Sequence, residues 1–158
     1  DKTTARAASE NDQNYIIYRL ADVLLMKAEA LIMQGHNEDA ADLIDRTRER
    51  AGLGETTLSD DRMVMLETLL VERQKEFFGE GKNWFDLLRI GLRSEQLNDT
   101  QYKTLFVEQA LKAVGASRQS LGRATLANSG SWYLPYSEDE LSKNPLLEQS
   151  DYYQSISN

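Results

Sequence analysis

The chain has no cysteine, one histidine and two prolines among its 158 residues. The first absence removes disulfides, thiol nucleophiles and cysteine metal sites together. A lone histidine, His36, cannot build a His-cluster metal centre within the chain. Cations are scarce as well: 18 Lys and Arg stand against 26 Asp and Glu, a net charge of −8 with a pI near 4.7. A nonspecific phosphate-binding surface needs clustered positive charge, so nucleic acid is not an expected partner. No stretch approaches the ~20 apolar residues that span a bilayer. The opening DKTTARAASENDQN also lacks the apolar region of a secretory signal, and its polar start without Met fits the later part of a longer protein. The length corresponds to one domain or a piece of a larger one, able to bury roughly two-thirds of its unfolded surface.

With Pro135 and Pro145 the only prolines, nothing but glycine interrupts residues 1–134, and helix is expected to dominate. Residues 1–14 form a polar lead-in with little apolar content to order it. From Tyr15 to Gln34, Leu20, Ala21, Leu24, Ala28 and Leu31 recur at spacings of three and four, the mark of one helix face. Gly35 ends this helix and Asn37 is expected to cap the next, with Ala40, Leu43, Ile44 and Thr47 as its packing stripe and Gly52 as its stop. The short link requires an antiparallel hairpin. A third helix is expected over 60–78, with Ser59 as cap and Leu66, Leu69, Leu70, Arg73 and Phe77 on one side. A short fourth, from Trp84 to Ile90, closes at Gly91. Residues 101–114 read as a helix with Tyr102, Leu105, Phe106, Ala110 and Ala113 on one face, and the GASRQSLGRATLANSGS that follows reads as a surface loop. Beyond it, SWYLPY is extended before Pro135, Ser137 with Glu140 fits a capping box, and Asn144–Pro145 opens an irregular, tyrosine-rich end.

The hairpin at 15–52 has Leu24, Ala28, Leu31, Gly35, Ala40, Ile44 and Thr47 near the spacings of a tetratricopeptide unit, with small residues where helices touch. Only one copy is evident, and such units are stable when about three stack. Arg19, Asp22 and Glu29 read as surface charges worth little to stability. The densest pattern is LLVERQKEFFGEGKNWFDLLRIG, where Glu72, Arg73, Glu76, Asp86 and Arg89 are set among Phe77, Phe78, Trp84 and Phe85. Charges in such company must be paired if buried. Glu76 and Asp86 are also the one carboxylate pair a glycosidase reading would choose, but two arginines beside them are the wrong neighbours for a general acid, which must keep its proton. His36 has no nucleophile beside it and reads as an exposed turn residue, and GEGK lacks the spacing and the Ser/Thr of a phosphate loop. Tyr133, Tyr136, Tyr152 and Tyr153 fit either a fastening of the tail or stacking against the apolar face of a sugar. No catalytic or metal-ligating residue emerges, and the ligand-binding residues are not assigned.

Three ordered motifs, YRLADVLLMKAEAL at 18–31, RERAGL at 48–53 and ERQKEFFGEGKNWFDLLRIG at 72–91, followed by YLPYSEDELSKNPLLEQSDYY at 133–153, carry a resemblance. The chain resembles the C-terminal part of a SusD/RagB-type nutrient-binding outer-membrane lipoprotein of the Bacteroidetes kind. Ser150, Asp151 and Tyr152 depart from the family's closing N-P-x-L-x-Q-N-x-G-Y, Thr47 stands where an apolar residue is usual, and 92–131 aligns with nothing. The resemblance implies an all-α, SusD-like fold over 15–158, with a tetratricopeptide-type hairpin at 15–52 and an irregular C-terminal tail. It implies a non-enzymatic protein without cofactor, tethered to the outer face of the outer membrane by an N-terminal lipid absent from this chain. Such a protein captures an oligosaccharide or polysaccharide for a SusC-like TonB-dependent transporter. A tetratricopeptide-type scaffold binding only protein is the alternative.

Overall fold

A computed structural model describes residues 16–156, so the polar lead-in expected at 1–14 lies outside the described residues. Among these there are eight α-helices, one 3-10 turn and no strand. The chain divides into two compact units between Glu72 and Arg73.

The first unit is built on a helical hairpin. Helix α1 (Leu20–Gln34) and helix α2 (Asn37–Arg50) are joined by Gly35 and His36 and pack on each other. Gly35 adopts φ +83°, which lets its own amide and that of His36 bond back to the carbonyls of Ile32 and Leu31. Helix α1 begins at Leu20 instead of Tyr15, and Ile16, Ile17 and Tyr18 ahead of it are exposed. Its buried face is also rotated from the expected one. Asp22, Leu25, Ala28, Glu29 and Ile32 are buried, whereas Leu20 is 69% exposed and Leu24 and Leu31 are half-buried. The helix is apolar around most of its circumference, so a stripe of leucines does not single out the core side. Asp22 and Glu29, read as surface charges, therefore lie inside.

On α2, Ala40, Leu43, Ile44 and Thr47 are buried as the spacing requires, joined by Ala41. The Thr47 hydroxyl has no hydrogen-bond partner among the described residues. Asn37 is not the cap: His36 holds that position without a side-chain bond, and the Asn37 Nδ2 donates to the Ser59 carbonyl at 2.9 Å. Helix α3 (Arg62–Glu76) starts two residues later than expected. Asp61 caps it, its Oδ1 accepting from the amides of Met63 at 2.7 Å and Val64 at 3.3 Å, while the Ser59 hydroxyl accepts from the Asp61 amide. A carboxylate at the positive end of a helix outcompetes a hydroxyl two residues upstream.

In the second unit, helix α4 (Asn83–Leu97) and helix α5 (Thr100–Leu111) form another packed hairpin, and helix α6 (Ala116–Leu126) packs on α5. Gly91 does not close α4. The helix runs through it to Leu97 and ends at Asn98, which takes the left-handed conformation at φ +51°. Gly91 is glycine for a different reason: a Cβ there would lie 3.0 Å from both Phe106 Cγ and Trp132 Cζ3. On α5, Tyr102, Leu105 and Phe106 are buried, but the helix stops at Leu111, leaving Ala113 exposed. Helix α6 replaces the expected loop. Its polar composition buries only Leu126, and what orders it is contact with α5: a Cβ on Gly122 would meet Leu111 Cδ2 at 2.5 Å, and Arg123 bonds both oxygens of Glu108.

A 3-10 turn (Ser129–Trp132) brings Trp132 into the core beside Phe106, with ring centroids 4.5 Å apart, and Trp84 meets Phe106 edge-on at 5.7 Å. Both indole N–H groups are satisfied, Trp84 by the Trp132 carbonyl at 3.2 Å and Trp132 by that of Leu126 at 3.0 Å. Helix α7 (Glu138–Lys143) is capped by the Ser137 hydroxyl, which accepts from the Glu140 amide. The end of the tail is a helix, α8 (Asp151–Ile156), where irregular chain was expected. It packs on the 3-10 turn so closely that a Cβ on Gly130 would fall 2.6 Å from Tyr152 Cβ.

Two expectations follow from these contacts. In Gly91→Ala, the gain in helix propensity of about 1 kcal/mol is outweighed by overpacking of about 1–3 kcal/mol. Urea unfolding should report a net loss of stability, and an equal or higher midpoint would contradict the interlock. The Arg123 guanidinium, chiefly through its hydrogen bonds, holds the Glu108 carboxyl below its ordinary value. This contribution is present above the unfolded glutamate value and is lost as pH falls through the lowered folded one. A carboxyl NMR titration should place the Glu108 midpoint below that of an unperturbed glutamate, returning upward in Arg123→Gln.

Candidate functional site

The aromatic-flanked charges come together around one carboxylate. Asp86 sits in the first turn of α4 and Arg73 in the last turn of α3, ends that suit a negative and a positive group respectively. Arg73 Nε donates to Asp86 Oδ2 at 2.8 Å, and both side chains are about 95% buried, at 4% and 5% exposure. Arg89, three residues further along α4, donates from Nη2 to the other oxygen at 3.1 Å. Both oxygens of Asp86 are thus held by guanidinium groups. The Arg73 guanidinium also lies 4.8 Å from the centroid of the buried Phe77 ring, as does the Lys82 ammonium. That placement assigns GEGK its role: Gly79 and Gly81, at φ +82° and +72°, fold the turn back so that Lys82 reaches Phe77 and pairs with Glu80 at 3.4 Å.

Glu76, the other half of the carboxylate pair, is half-buried at the end of α3 and takes no part in the bonds to Asp86. Glu72 is buried and belongs to a separate pair within the first unit, accepting from Arg48 Nη1 at 2.8 Å. Arg48 in turn donates from Nε to the Gly54 carbonyl at 2.6 Å. His36 is exposed in its turn. Phe77 is buried, but Phe78 is 90% and Phe85 67% exposed, so the aromatic surroundings of these charges are one-sided. Among the described residues no group of three or more His, Asp or Glu is placed to hold a metal ion, and no helix is long and apolar enough to cross a membrane.

The tail tyrosines divide into two kinds. Tyr153 fastens: its hydroxyl donates to the Tyr133 carbonyl at 2.7 Å, and its ring meets that of Tyr152 edge-on at 4.9 Å. Tyr136 is held by its backbone alone. The Gln149 side-chain amide accepts from the Tyr136 N–H at 3.2 Å and donates to its carbonyl at 3.0 Å, pairing with the extended chain as a neighbouring strand would. Tyr136 is left 49% exposed. It lines an open cleft of about 680 Å³ with Pro135, Glu138, Leu141, Gln149 and Tyr153. Glu138 and Gln149 did not stand out in the sequence. An amide that pairs with backbone thirteen residues away leaves no local pattern.

Fold and site together define an all-α scaffold in which the conspicuous charges bind one another and the exposed chemistry lies in the tail. A profile of the SusD family matches residues 1–153, and the chain belongs to that family. SusD-like protein P38 of Formosa agariphila is 37% identical over 89 residues, 51% of this chain and 18% of its own length. SusD-like protein P25 of the same organism is 28% identical over 144 residues, 89% of this chain and 24% of its own. A crystal structure of a SusD superfamily protein from Bacteroides fragilis superposes with a TM-score of 0.62 at 29% identity, covering 87% of this chain and 28% of that one. The matches therefore span between 18% and 28% of the length of these relatives.

Removing the counterion of a buried guanidinium is costly, so Asp86→Asn should destabilise the protein by about 3 kcal/mol. Glu76→Gln, outside the pair, should cost much less. Chemical denaturation of both variants checks this, and comparable losses would remove Asp86 from its central place.

Proposed function

We propose that the chain is the C-terminal part of a cell-surface nutrient-binding lipoprotein that captures a glycan and passes it to a SusC-like TonB-dependent transporter in the outer membrane. The family match over residues 1–153 carries this reading. In it, the α1–α2 hairpin serves as a tetratricopeptide-type unit, 15–158 is one portion of a longer SusD-type domain, and an N-terminal lipid holds the protein on the outer face. The protein binds without turning over its ligand and needs no cofactor. The site geometry supports that view, because Asp86, one of the two carboxylates a glycosidase reading would choose, has both oxygens engaged by arginine.

The reading is tested on the intact protein in its own cells. Labelling with a fatty-acid analogue and mild-detergent purification should recover a lipidated protein together with a TonB-dependent transporter. A soluble, unlipidated protein that purifies free of any transporter ends the proposal.

A further inference from the structure

We draw no further inference here: the strongest candidate, the exposed apolar face of helix α1 formed by Leu20, Val23 and Met26, carries nothing because nothing in the structure shows what covers it.

Discussion

A carboxylate removed from water needs cations placed against it, and Asp86 has two. Arg73 reaches it from the end of α3 and Arg89 from the next turn of α4, so each oxygen has its own donor. The geometry is demanding because a guanidinium tolerates little displacement from a carboxylate it shares with another. Around this point the second unit is assembled: Phe77 lies against Arg73, and further along α4 Gly91 admits Phe106 and Trp132 to the helix surface. In the first unit, Arg48 joins the Glu72 carboxylate to the Gly54 carbonyl and so ties the loop after α2 to α3. The charges that make residues 72–91 look chemically active are occupied in holding helix ends.

The tail uses a different economy of bonds. Among its described residues there is no strand and the helices are short, so several of its backbone polar groups are met by side chains. Gln149 pairs with Tyr136, Asn128 and Ser137 accept from amides that follow them, and the Ser131 hydroxyl donates to the carbonyls of Thr125 and Asn128. Such a segment is ordered by its polar side chains and keeps its aromatic rings at the surface. A core locked by ions and aromatics thus carries a polar rim on which Tyr136 and Glu138 are exposed.

Much of this was legible in the linear pattern. All-α architecture followed from two late prolines and repeated three-and-four spacing, and the α2 stripe and the α3 face of Leu66, Leu69, Leu70, Arg73 and Phe77 are buried as the spacing required. Family membership followed from ordered motifs spread over the chain. Where the pattern misled, the competing principle can be named. Gly91 looks like a helix stop because glycine has no side chain to favour a helix, whereas its lack of a Cβ is what two aromatic rings require. The residues of α6 look like loop because their propensities are poor, and they are helical because α5 supplies Leu111 and Glu108 as partners.

Sequence by itself determined the periodic elements, the excess of acid, the absence of thiol and His-cluster chemistry, and the kinship, since each of these is a property of residue order and composition. Only the tertiary structure decided which side of α1 faces inward, that Asp22 and Glu29 are buried with it, and that Tyr136 is presented while Tyr153 is tied. The physical reason is the same in each case. A helix that is apolar nearly all round, or a tyrosine in a polar tail, has several environments of similar local energy, and contacts from residues distant in the chain select among them.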